Sequence, residues 1–149
     1  MSHGLQQVRE EILALVEFLA SFGPRNVLEI GSASGASFYL WCRLADRRAK
    51  VISVDLPGGI YGGEENADPA VRTRRDETMR SWAPNAHLIA GDSKCPEVRR
   101  HVAEILGDDR LDFLLIDGDH AYPGVRADYE GYRGFVQEGG VHRVSRHQR

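Results

Sequence analysis

The residues in this sequence with chemical potential stand at the ends of short apolar runs. In Glu29-Ile30-Gly31-Ser32-Ala33-Ser34-Gly35-Ala36-Ser37, glycines bracket a brief turn, and glycine lets backbone approach a ligand without Cβ obstruction. A helix starting there offers unpaired N–H groups, which suit a carboxylate or phosphate. Asp55 follows about 20 residues past the glycines, the distance at which an acidic strand end meets a ribose diol. The plain alternative is a strand-to-helix turn capped by Ser34 or Ser37. A dinucleotide fingerprint wants G-x-G-x-x-G/A, its second glycine admitting the pyrophosphate. Ala33 holds that position and argues against NAD. Gly91-Asp92-Ser93 and Asp117-Gly118-Asp119-His120 end two further apolar runs, adding carboxylates and an imidazole.

The elements that must position these residues alternate. Leu5, Val8, Ile12, Leu15, Val16 and Leu19 recur at helical spacing, and Gly23-Pro24 ends that helix. Strands are expected over Asn26–Gly31, Lys50–Asp55, Ala86–Gly91 and Leu111–Ile116. Between them fall helices over Ala36–Leu44, over Ala70–Trp82 behind Pro69, and from Pro96 with Val98, Val102 and Ile105 on one face. Gly107 is the expected C-cap of that third helix. A last helix starts at Pro123, with Val125, Tyr129, Tyr132 and Phe135 on one face. Strands alternating with helices predict an α/β fold, a parallel sheet covered on both faces. Right-handed crossovers align the strand C-termini along one edge, so Gly31, Asp55, Asp92 and Asp117 should meet there.

The bulk properties set limits. A chain of 149 residues, 42% hydrophobic and 28% charged, is expected to form one globular domain. Its parts are an N-terminal helical segment over 1–24, a core over 25–140, and an atypical basic tail over 141–149. A net charge of -3 gives no reason to expect nucleic acid as partner. No apolar run reaches the roughly 20 residues of a membrane span. The acidic pair Glu10-Glu11 stands where a signal peptide needs its apolar core. Cys42 and Cys95 form neither a disulfide framework nor a metal-binding spacing, which fits a reducing cytoplasm. Arg72, Arg74, Arg75 and Arg80 read as a solvated helix face. Trp41 and Trp82 read as core. Gly58–Asn66 reads as a loop, its Gly58–Gly63 part either a mobile flap or a passive surface turn.

The motifs together resemble class I S-adenosylmethionine-dependent methyltransferases: Glu29-x-Gly31-x-x-x-Gly35, the acid Asp55, Gly91-Asp92-Ser93, and Asp117-Gly118-Asp119-His120. Val54-Asp-Leu-Pro-Gly-Gly59 and Ile116-Asp-Gly-Asp-His120 are similar to a bacterial small-molecule group that includes proteins labelled cephalosporin hydroxylases. The resemblance covers roughly Leu5 to Gly140 and implies a three-layer αβα Rossmann-like fold. It also implies that Gly31 and Gly35 line the methionine part of S-adenosylmethionine, with Ser32, Ser34, Ser37 and Asp117 among the cofactor-binding residues. Glu29 would brace the loop through its backbone amides, Asp55 would accept both ribose hydroxyls, and Asp92 with Ser93 would flank the adenine. Asp117 and His120 become the catalytic candidates. His120 has the pKa range of a general base; alternatively Asp117, with Asp119, would bind Mg²⁺ and acidify an acceptor hydroxyl. Asp119 and His120 equally suit a turn before the Pro123 helix.

The likeness breaks after Gly140. The family continues into an apolar fifth strand ending in His-Asp or a similar acid, then two more strands. Here Val141-His-Arg-Val-Ser-Arg-His-Gln-Arg149 follows, whereas a central parallel strand should be nearly all apolar. A sheet incomplete at its C-terminal edge is therefore expected, from truncation or a shifted reading frame, or else a short half-exposed edge strand at Val141 and Val144. An open edge invites homodimerisation. Three readings follow: a methyltransferase acting on a hydroxyl or amine of a small molecule, a catalytically incompetent cofactor-binding or assembly domain, and an NAD-linked protein.

Overall fold

The computed structural model describes residues 9–58 and 68–145. The expectations placed on Leu5, Val8, most of the Gly58–Asn66 loop and the last four residues lie outside them. The elements run α1 (Arg9–Phe22), β1 (Val27–Ile30), α2 (Ala36–Leu44), β2 (Val51–Asp55), α3 (Pro69–Trp82), β3 (Ala86–Ala90), α4 (Pro96–Leu106), β4 (Leu111–Ile116), α5 (Tyr122–Tyr132) and β5 (Val136–Val144). Local chemistry sets their ends. Asp68 caps α3 by accepting the Ala70 N–H at 2.8 Å, with Pro69 in the first turn. The Gly23 N–H closes α1 on the Leu19 carbonyl.

All five strands are parallel, in the order β3-β2-β1-β4-β5. The chain starts at the middle, winds outward through β2 and β3, then returns beside β1 with β4. Strand order reverses between β1 and β4, and ligands of open α/β sheets bind at such a point. Side chains alternate across the sheet. Val27, Val51, Phe113 and Leu115 face α1, α2 and α3. Leu28, Ile30, Ile52, Val54, Leu114 and Ile116 face α4 and α5. The result is the three-layer αβα Rossmann-like arrangement.

The edge strand is the main departure from the sequence reading. β5 runs through Gly139-Gly140 into the supposed tail, pairing Phe113 with Val141 and Ile116 with Val144. Val136 to Val141 on β5 answers Leu111 to Phe113 on β4, so the intervening residues bulge. Gly139 takes φ +78, a conformation that costs glycine little. A Cβ on Gly140 would press on Val136 Cγ1 at 2.5 Å. Two polar residues of β5 find tertiary partners: Arg143 donates to Glu11 of α1 at 2.9 Å, and the His142 ring meets Tyr129 of α5 edge-on. One core assignment changes. Trp82 is 44% exposed, with the Arg43 guanidinium 4.2 Å from its ring centroid. Tyr129 is likewise exposed, and the inward face of α5 is Gly124, Asp128 and Tyr132.

Candidate functional site

Where β1 ends, the chain turns sharply. Gly31 sits at φ +86, and a Cβ there would run into the backbone of Gly118. This glycine therefore serves the close approach of the β1 and β4 loops rather than only that of a ligand. The Gly31 N–H bonds the Val54 carbonyl and the Asp117 N–H bonds the Ile30 carbonyl, each at 2.8 Å. Gly35, at φ +85, lies against α3, where a Cβ would meet Arg75 Cδ at 3.0 Å. Neither Ser34 nor Ser37 caps α2, whose N-cap is Gly35 with no side-chain bond.

Ala33 takes φ 44, unusual for a residue with a Cβ. It is held from two sides. Its N–H donates to Asp55 Oδ1 at 3.1 Å, and its carbonyl accepts from Arg75 Nη1 at 3.0 Å. Arg75 is thus no member of a solvated face: it bridges α3 to the turn. Burial raises the Asp55 pKa, while the Ala33 N–H, the Arg75 charge and the Ser32 N–H pull it down. Ser32 is buried and shares a 2.9 Å hydroxyl contact with Ser53.

Glu29 does not reach the loop amides. Strand alternation points it towards α2, where Oε1 accepts the Trp41 indole N–H at 3.2 Å and Oε2 is buried with no hydrogen-bond partner. It is completely buried. Burial pushes its pKa up to about 8, with the negative charges of Asp117 and Asp55 adding to the effect. At neutral pH most of it is the uncharged acid.

The β3 end is fixed by α5. Ser93, buried, donates to Asp128 Oδ1 at 2.6 Å, and the Tyr132 hydroxyl donates to the Ser93 carbonyl at 2.8 Å. Asp92 accepts the Lys94 N–H at 2.9 Å. Asp128 is itself buried, and burial raises its pKa against the Ser93 bond. Asp128→Ala would strand a buried hydroxyl at a cost of about 1–3 kcal/mol. Its urea midpoint should fall with an unchanged slope, and an unshifted midpoint would show that the bond holds nothing.

These ends surround a cleft of about 230 Å³. Ile30, Val54 and Leu56 line it with apolar surface, and Asp55, Asp92, Asp117, Asp119 and Asp128 with carboxylates. Of the residues singled out in the sequence, it brings together Gly31, Asp55, Asp92, Ser93, Asp117 and Asp119. Glu29, Ser32, Ser34, Gly35, Ser37 and His120 are not among its lining residues. Lys94 and Asp128 also line it, and sequence reasoning missed both. For Asp128 a signal existed, since Gly124, Asp128 and Tyr132 share a face at four-residue spacing. Leu56, 53% exposed beside Asp55, offers an apolar surface to the cleft.

A divalent cation does not fit this set. Mg²⁺ needs near-octahedral oxygen ligation. Among the described residues, no group of three or more His, Cys, Asp or Glu could hold a metal ion. Asp119 instead takes the Lys94 ammonium on Oδ2 at 2.8 Å and the Ala121 N–H on Oδ1 at 2.9 Å. These bonds hold its pKa below the usual carboxylate range. β5 reaches this edge with Val144, and the Ser145 N–H bonds the Ile116 carbonyl at 3.0 Å; among the described residues no acid stands at this strand end.

Residues 28–143 match the model of a family described as a methyltransferase domain, and the chain belongs to that family. No curated protein sequence matches it. Among solved structures it is similar to the O-methyltransferase from Bacillus cereus in complex with SAH, at 20% identity and TM-score 0.67, over 97% of this chain and 58% of that one. It is also similar to CalS11, a calicheamicin methyltransferase, at 15% identity and TM-score 0.71, over 92% and 65%. A third is TomG from Streptomyces achromogenes, an O-methyltransferase involved in tomaymycin synthesis, in complex with SAM, at 15% identity and TM-score 0.67, over 92% and 55%. At these identities the likeness concerns the fold. The chain spans between 55% and 65% of the length of these three structures.

Proposed function

We propose that this chain binds S-adenosylmethionine in the cleft at the β1/β4 reversal and transfers its methyl group to a hydroxyl or amine of a small molecule. The observation that carries the reading is the meeting of Asp55 from the β2 end, Asp92 from the β3 end and Asp117 from the β4 end around one cleft, in a chain of the methyltransferase-domain family. Asp55 would accept the ribose hydroxyls, the Leu56 surface and the Asp92–Ser93 turn would flank the base, and the Gly31–Gly35 turn would take the methionine end. In the transfer, an acceptor lone pair forms the new bond to methyl carbon as the carbon–sulfur bond breaks. The cofactor would supply the methyl and keep the sulfur electron pair as S-adenosylhomocysteine, while Asp117 or His120 would take the acceptor proton. Holding the nucleophile in line accounts for much of the rate in such reactions.

The experiment is release of labelled methyl from S-adenosylmethionine to a panel of small hydroxyl and amine acceptors. Transfer lost in Asp117→Asn would support the assignment. Binding of the cofactor with no transfer to any acceptor would favour the reading of a cofactor-binding domain without catalysis.

We also infer homodimerisation across the outer edge of β5, because an uncovered strand edge invites pairing. Sedimentation velocity over a concentration series should show a dimer; a strict monomer at the highest concentration would contradict it. Acidic cleft walls support a small-molecule acceptor over nucleic acid. No described helix is long and apolar enough to cross a membrane, and the free thiols of buried Cys42 and exposed Cys95 support a reducing, cytoplasmic setting.

A further inference from the structure

We propose that the Lys94 ammonium is the resident cation of this cleft, standing where a divalent metal would be needed and keeping the site from binding one. Lys94 leaves the β3 end with its backbone N–H on Asp92 Oδ1. Its side chain then spans to the β4 loop, Nζ lying 2.8 Å from Asp119 Oδ2. The other Asp119 oxygen carries the Ala121 N–H, so both of its oxygens are engaged. Gly124 makes the arrangement possible: any side chain there would collide with the Asp119 carboxylate. The neighbouring Asp128 is committed to Ser93.

Asp92 and Asp128 line the same cleft as this ion pair, so the Lys94 ammonium stands among carboxylates. A divalent ion shared by Asp117 and Asp119 would have to displace that ammonium. It would then face a like charge at close range. The consequence deepens the proposed function and rests on it. The acceptor is one whose nucleophile needs no metal, an amine or a single hydroxyl activated by a protein base, rather than a vicinal diol presented as a chelate.

The test reads metal affinity alone, on the full chain without cofactor or acceptor. Mn²⁺ is titrated in while the free-ion electron paramagnetic resonance signal is followed. Wild type should show no saturable binding at about 1 mM, the weak end of protein oxygen sites. Lys94→Met should gain about tenfold or more in affinity through loss of the like charge, and Lys94→Met/Asp119→Asn should lose that gain. The Lys94 side chain is 42% exposed, so the substitution leaves the core intact; Lys94→Gln serves as a second variant should Lys94→Met fail to fold. Wild type binding Mn²⁺ as tightly as the Lys94 variants, or no gain in either, overturns the proposal. Titration of the same samples with S-adenosylhomocysteine separates the two readings. Failure there with the metal pattern intact would refute the cofactor assignment and leave the role of Lys94 standing.

Discussion

Thermal stability should fall as pH rises from about 5 to about 8, and Glu29→Gln should remove much of that fall. The folded-state pKa of Glu29 is raised from 4.5 to about 8. Below the unfolded value both states hold the proton and the contribution is complete. Between the two values the unfolded chain releases its proton while the folded chain keeps it, so stability declines until the folded pKa is passed. A shift of this size corresponds to a few kcal/mol, or roughly 10 °C in Tm for a domain of this size. Asp55 and Asp128, also raised by burial, act in the same direction, which is why the single variant is needed. The amide that Glu29→Gln introduces keeps an oxygen to accept the Trp41 indole N–H. Melting curves across this range would show the wild-type slope flattened in Glu29→Gln; parallel slopes would mean that Glu29 does not titrate in this window.

The second large effect concerns the cofactor. Asp55→Ala should weaken S-adenosylhomocysteine binding by about 100-fold, since two bonds from ribose hydroxyls to one carboxylate are together worth about 3 kcal/mol. The loss has a structural component as well, because Asp55 Oδ1 holds the Ala33 N–H and so helps keep that residue at positive φ. Asp55→Asn retains an acceptor for this amide but not the charge, and should fall between the two. Calorimetric titration of all three proteins tests this order, and an affinity unchanged in Asp55→Ala would remove Asp55 from the site.

The strands and helices of the core were legible because each carries its own punctuation. Gly35, Pro69, Pro96 and Gly107 mark ends that the structure keeps, and the four acidic or glycine strand ends meet as the alternation required. β5 was harder to read because its polar residues are satisfied from a distance: Arg143 by Glu11 across the sheet face, and His142 by the Tyr129 ring. A parallel edge strand with such partners need not be apolar throughout. The same physics hid part of the site. Arg75, Lys94 and Asp128 gain their roles only when α3 crosses the β1 turn and the β3 and β4 loops come together above α5. Glu29 was visible as a motif residue, yet the two-residue alternation of β1 turns it towards Trp41 and Ser37 rather than the loop.

The proposed methyl transfer rests on the cleft binding S-adenosylmethionine. Calorimetric titration of the wild-type chain with S-adenosylhomocysteine, with NAD titrated in parallel, addresses that most directly. Saturable binding of S-adenosylhomocysteine and none of NAD is the expected result. Binding of NAD alone, or of neither by a folded chain, would contradict it.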